Sequence, residues 1–189
     1  KRLAAVRKFR EILGDRQPEL ARTLSLEVGK PIRQSRNELT GLAGRIDFFL
    51  ENTERALRDE KVFADPQGKL EERIGHVPLG VIANISAWNY PYFVGGNVFV
   101  PALAAGNAVL YKPSEHATLT GLHIAELLHE SGVPADVFVP VIGGGETGAA
   151  LLRQPVDGVF FTGSYATGAA IAASTGRRRR ASTTRSAAA

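Results

Sequence analysis

A chain of 189 residues, 44% hydrophobic and 22% charged, is long enough to bury a sizeable core and is composed like a globular protein, which excludes a fibrous, low-complexity or wholly disordered chain. No apolar run approaches the ~20 residues that a bilayer crossing needs, and the absence of any Cys removes disulfides, thiolate metal sites and a cysteine nucleophile together. The net charge of +4 resides in residues 174–189, which hold five Arg and no acid, so the body carries 18 basic against 19 acidic residues and lacks the basic face that nucleic-acid binding requires.

The first third predicts helices. Leu3, Val6, Phe9 and Leu13, then Leu20, Leu24 and Val28, recur every three or four residues, with Pro18 early in the second helix and Gly29 and Pro31 as its stop. From Ile32 to about Leu57 a third helix turns Leu39, Leu42, Ile46, Phe49 and Leu50 inward and Glu51, Glu54, Arg55 and Arg58 outward. The charge-interrupted start from Lys1 to Lys8 lacks a secretory apolar core, so a cytoplasmic location is expected. With Lys at position 1 and no Met anywhere, the chain is expected to be a processed or incomplete product.

Residues 61–78 change character. Asp65-Pro66-Gln67-Gly68 is a turn signal followed by the extended run from Lys69 to Val77, which predicts a β-ribbon or crossover. Beyond Gly80, buried strands are expected at Val81 to Ile85, Asn107 to Tyr111, Val137 to Ile142 and Gly158 to Phe161, although Pro140 removes a ladder donor from the third. Helical stretches fall between them, near Val94 to Ala104, Ala117 to Glu130 and Glu146 to Leu152. Alternation of this kind predicts an α/β fold with a doubly wound, Rossmann-like parallel sheet over 79–173, preceded by a helical layer over 1–60 and the ribbon of 61–78. The Arg/Ser/Thr/Ala-rich segment 174–189 has no hydrophobic period and is expected to be a disordered tail.

Open α/β sheets bind ligands beyond the carboxyl ends of their strands, and each expected strand here runs into a chemically loaded loop. The first carries Ser86, Trp88 and Asn89, the second Lys112, Ser114 and Glu115, the third Gly143 to Gly148, and the fourth Gly163, Ser164 and Gly168. Each loop also has a plain reading. Asn89 is a favoured helix-capping residue, Lys112 a solvated ammonium, Glu115 a carboxylate well placed at a helix N-terminus, and Gly163-Ser164 a tight turn. Gly143, Gly145 and Gly148 form a G-x-G-x-x-G, but the acidic residue expected ~20 positions on is missing and Asp157 comes too early. His116 and His123 share a helix face without a third ligand, so no metal is predicted.

Taken together, Pro78-Leu79-Gly80-Val81-Ile82, Trp88-Asn89-Tyr90-Pro91, Pro101 to Ala108, Lys112-Pro113-Ser114-Glu115 and Phe161-Thr162-Gly163-Ser164 resemble, in order and spacing, the signature of the NAD(P)-dependent aldehyde dehydrogenases. Glu27-Val28-Gly29-Lys30-Pro31 resembles that family's N-terminal helical region, and the resemblance covers roughly residues 1 to 173. It implies that Asn89 is the oxyanion-hole donor. Lys112 and Glu115, with Ser114 between them, would hold the adenosine ribose. A carboxylate there repels a 2′-phosphate, so Glu115 implies NAD rather than NADP. The resemblance also implies that Gly163, Ser164 and Gly168 meet the pyrophosphate and that Ile85, Ser86 and Trp88 line the cofactor cleft; Gly145 carries less weight.

The family reaction oxidises a small-molecule aldehyde to a carboxylic acid. It needs a cysteine thiolate as nucleophile, hydride transfer to the nicotinamide, and a glutamate to activate water. This chain has no Cys, and no acidic residue after Asp157. The expectation is therefore a truncated, cofactor-binding portion of an NAD-dependent aldehyde dehydrogenase, inactive by itself, with a shift of reading frame past Ala173 as one origin of the Arg-rich end. The family assembles as homo-oligomers, which this portion is not expected to do, and neither membrane nor nucleic acid is an expected partner. Two other readings stay open: a non-catalytic NAD-binding module, and an interaction protein whose basic tail docks on nucleic acid.

Overall fold

The computed structural model describes residues 1–65, 67–68 and 70–182. Its elements follow in the order α1 Arg2–Asp15, α2 Gln17–Val28, α3 Ile32–Ala56, β1 Glu60–Ala64, β2 Glu71–Ile74, β3 Val81–Ile85, α4 Pro91–Ala105, β4 Ala108–Lys112, α5 Thr118–Glu130, β5 Phe138–Pro140, α6 Gly145–Leu151, β6 Gly158–Phe161 and α7 Tyr165–Ser182. Pro66 and Lys69, part of the expected turn and extended run, and residues 183–189 of the expected tail lie outside the described residues.

Strands β3, β4, β5 and β6 form one parallel sheet in the order β5-β4-β3-β6, the α/β arrangement that the alternation of elements predicts. Successive units step outward from β3 through β4 to β5, and the chain then returns past β3 to place β6 on its other side. The crevice opened by that reversal is where a doubly wound sheet binds ligands. The third strand, Phe138–Pro140, is shorter than expected, but Pro140 does not interrupt the ladder: it lies on the edge strand, and the Val141 N–H beyond it still donates to the Tyr111 carbonyl at 2.8 Å. Strands β1 and β2 pair antiparallel as a separate ribbon whose residues are all exposed.

The core lies between the sheet and α1, α2 and α3. Phe99 of α4 is fully buried and sets its ring edge-on to three others: Phe9 of α1 at 6.1 Å, Tyr111 of β4 at 5.6 Å and Phe138 of β5 at 5.4 Å. Helix α4 is apolar nearly all round because it is sandwiched between β-strands and helical layer. Its Gly96 is needed for that packing, since a Cβ there would run into Leu42 of α3.

Two helix N-termini are closed from a distance. Glu38 of α3, fully buried, accepts the N–H groups of Tyr92 (2.7 Å) and Phe93 (3.1 Å) at the start of α4 through Oε1. Glu27 near the end of α2 accepts those of Leu119 (2.6 Å) and Thr120 (2.8 Å) at the start of α5, together with the Thr120 hydroxyl at 2.6 Å. The first turn of a helix leaves its N–H groups without intrahelical partners and carries a partial positive charge, so a carboxylate is the favoured acceptor.

The expected disordered tail is corrected in part. Helix α7 continues from the sheet domain through residue 174 as far as Ser182. A hydrophobic period is not the only source of helix, since the Ala and Arg residues of this stretch are strong helix formers in themselves.

Candidate functional site

At the carboxyl edge of the sheet a single cleft of about 1210 Å³ opens between the loops that follow β3, β4, β5 and β6. It brings together Ile85, Ser86, Trp88, Asn89, Lys112, Ser114, Glu115, Gly145, Gly163 and Ser164, residues up to 79 positions apart in sequence. Gly168 is not in it. Helix α7 starts at Tyr165, so Gly168 lies in its first turn rather than closing a loop; its N–H bonds the Ser164 carbonyl at 3.0 Å, and a Cβ there would meet the Phe161 ring at 3.3 Å.

On the first loop, Asn89 is exposed to the cleft and does not cap α4, whose N-cap position is Tyr90 and whose amides are taken by Glu38. The helix-capping alternative for Asn89 is therefore not the one realised. Its backbone carbonyl accepts from Lys30 Nζ at 2.9 Å. Ser86 is buried at the strand end, held by its N–H to the Lys112 carbonyl at 3.0 Å, and its Oγ lies beside the Tyr111 hydroxyl without a hydrogen bond of ordinary geometry.

On the second loop, Lys112 is 4% exposed, the opposite of a solvated ammonium. Its Nζ donates to the Pro113 carbonyl at 3.1 Å and stands 3.9 Å from the Glu115 carboxylate. Burial pushes the Lys112 ammonium below its ordinary pKa, and Glu115 opposes that. Glu115 is held below the usual carboxylate range, first by the hydrogen bond from its own backbone N–H and then by the charge of Lys112. Glu115–Ala117 form a short 3₁₀ turn before α5, and Ser114 caps it by accepting the His116 N–H at 3.3 Å.

On the third and fourth loops, Gly145 opens α6, and Ser164 precedes α7. Ser164 Oγ accepts the Thr167 N–H at 3.3 Å and bonds the Thr167 hydroxyl at 2.9 Å, so Gly163-Ser164 is a helix-capping turn whose open side faces the cleft. Asp157, too early in sequence for the acidic residue of the G-x-G-x-x-G pattern, lies away from the cleft: its Oδ2 accepts the Val81 N–H at 2.7 Å at the opposite end of β3. Among the described residues no group of His, Asp and Glu has metal-site geometry, and no helix is long and apolar enough to cross a membrane.

Sequence reasoning gave no site role to Thr162, Thr167 or Arg153 and weighed His116 only as a metal ligand, although all four line the cleft; it gave none to Glu38 or Lys30 behind it either. For His116 and Arg153, position at a strand or helix end was a usable signal. For Glu38 none existed, since the backbone amides it holds, those of Tyr92 and Phe93, lie more than fifty residues away.

The aldehyde dehydrogenase family model matches residues 1–185, beyond residue 173 where the resemblance was expected to stop. The chain is 41% identical over 170 residues to an N-succinylglutamate 5-semialdehyde dehydrogenase of Chromobacterium violaceum, a match covering 89% of this chain and 34% of that protein. Among solved structures, an NAD-dependent aldehyde dehydrogenase from Sinorhizobium meliloti superposes with a TM-score of 0.87 at 34% identity, covering 94% of this chain and 35% of that one. A gamma-glutamyl-gamma-aminobutyraldehyde dehydrogenase from Burkholderia cenocepacia J2315 gives 0.87 at 35% identity, covering 93% and 36%. The chain thus spans about a third of the length of the relatives it matches. With the sheet order, the four-loop cleft and the sequence match all agreeing over nearly the whole chain, it belongs to the aldehyde dehydrogenase family.

Proposed function

We propose that the cleft binds NAD and that this chain supplies the cofactor-binding part of the oxidation of a small-molecule aldehyde, without completing that reaction by itself. The observation that carries the reading is the convergence of Lys112, Glu115, Ser164 and Asn89, from three separate loops, on one cleft. The residues fit the cofactor. The cleft is ample for a dinucleotide, the buried Lys112 ammonium has one carbonyl partner and spare donors, and Ser86 offers a buried hydroxyl without a well-formed bond.

When bound, NAD supplies the hydride acceptor. Lys112 Nζ and the Glu115 carboxylate would hold the ribose hydroxyls, the ammonium donating and the carboxylate accepting. That carboxylate disfavours a 2′-phosphate and so selects NAD over NADP. The Gly163 and Ser164 turn offers the backbone N–H groups and hydroxyl suited to a pyrophosphate. The Asn89 amide would donate to the aldehyde oxygen as it becomes an oxyanion. Asn89 can stabilise that charge but cannot create it, and no thiol in this chain can attack the carbonyl.

The test is a titration followed through Trp88, the one Trp of the chain, which lines the cleft. Saturable quenching by NAD with no NADH formed from a short aldehyde is expected. Absence of saturable binding, or aldehyde-dependent NADH production resistant to thiol reagents, would overturn the reading.

A further inference from the structure

We infer that Lys30, in the helical layer, is a positioning residue that fixes the turn carrying Asn89; the inference rests on the oxyanion role proposed for that side chain. Lys30 sits in the three-residue link between α2 and α3. Gly29 before it adopts the left-handed conformation (φ 72°, ψ 16°) that ends α2, and Pro31 after it confines Lys30 to extended backbone. The side chain is thereby sent along α3 toward the start of α4.

There it makes three contacts at once. Its Nζ pairs with Glu38 Oε2, donates to the Asn89 carbonyl at 2.9 Å, and lies 4.2 Å from the centre of the Tyr90 ring. Glu38 uses its other oxygen, Oε1, to hold the N–H groups of Tyr92 and Phe93. One ammonium therefore binds two consecutive residues of the turn, Asn89 and Tyr90. Through Glu38 it also binds the next two amides that the helix leaves free. The pair is secluded, with side-chain exposures of 10% for Lys30 and 0% for Glu38.

Asn89 itself can be fixed in this way because only its carbonyl is used. The residue lines the cleft, while its carbonyl is taken up by Lys30 of the helical layer. Such an arrangement separates holding from chemistry within one residue. Pre-organisation of this kind matters because an oxyanion donor displaced by about 1 Å loses much of its effect.

The experiment uses the full chain without nucleotide, well below each variant's melting temperature, with acrylamide quenching and emission of Trp88 reporting the neighbouring turn. Lys30→Met is expected to raise the quenching constant and shift Trp88 emission to the red, and Lys30→Arg, which keeps charge, donor and ring contact, to restore both. A Lys30→Met protein with wild-type Trp88 behaviour would overturn the inference, as would Lys30→Arg behaving like Lys30→Met. Should Lys30→Met not fold, Lys30→Gln is read in the same way. In the unaltered chain, reductive methylation of Lys30 is expected to lag far behind that of the exposed Lys8; equal rates would overturn the inference as well. Failure of NAD to bind the unaltered chain would remove the functional reading, while the nucleotide-free comparison would still decide whether Lys30 holds the turn.

Discussion

Phe99 is the side chain through which the helical layer and the sheet share one core, so replacing it with Ala is the most informative stability test. Burying a Phe and then deleting it costs about 3–5 kcal/mol, depending on how far the surroundings can collapse into the space. Here they can collapse little. Three of its walls are the rigid rings of Phe9, Tyr111 and Phe138, and a fourth is Gly95, which has no side chain to move in. Three edge-to-face aromatic pairs are also lost, each worth roughly 0.5–1.5 kcal/mol beyond simple burial. The upper part of the range is therefore expected, about 4–5 kcal/mol, or a melting temperature lower by roughly 8–20 °C for a domain of this size. Thermal and denaturant unfolding followed by circular dichroism gives the value. Phe48→Ala is the control, because Phe48 is 51% exposed, with its ring centre 5.7 Å from that of Phe49, and its cost should stay below about 1 kcal/mol. A Phe99→Ala loss below about 2 kcal/mol, or one equal to that of Phe48→Ala, would show that the layers are not joined through this ring.

Two further outcomes are expected. Glu115→Gln should narrow the preference for NAD over NADP in Trp88 titrations, since it removes the carboxylate charge near Lys112 that opposes a 2′-phosphate; an unchanged ratio of affinities would show that Glu115 does not face the ribose. Among the described residues β6 pairs only with β3, and Phe160 on it is 43% exposed, so this edge is a template for pairing with another chain. Phe160→Lys should lower self-association measured by light scattering, and unaltered association would place the sticky surface elsewhere.

The parts legible in the sequence were those set by short-range pattern. Runs of three or four apolar residues directly after Gly or Asn marked β3, β4 and β6, and turn chemistry marked the ribbon. Loop residues at strand ends were legible as a set because a parallel sheet sends all its carboxyl ends to one side. Features decided by tertiary contact were not. Glu38 reads as one more charged residue on a helix, yet it is buried against α4, where desolvation pushes its carboxyl above the usual range and Lys30 opposes the shift. Gly168 looked like part of a loop because sequence does not say on which residue α7 begins. The helical continuation to Ser182 was hidden because amphipathic period, the main signal used, does not register the intrinsic helix propensity of Ala and Arg.

The closing of α4 and α5 by Glu38 and Glu27 bears on how such a fold can be recombined. A nucleotide-binding core is often imagined as a portable cassette that can be cut at a loop and joined to other sequences. Here a cut after residue 60 would strip the acceptors from the N–H groups of Tyr92, Phe93, Leu119 and Thr120, leaving two helix starts exposed at the base of the very loops that shape the cleft. The graft would inherit the glycines and the lysine but not the means of holding them. Segments 1–60 and 79–173 are thus inherited together or not at all, and a chimera that exchanges one without the other has to bring matching carboxylates at 27 and 38.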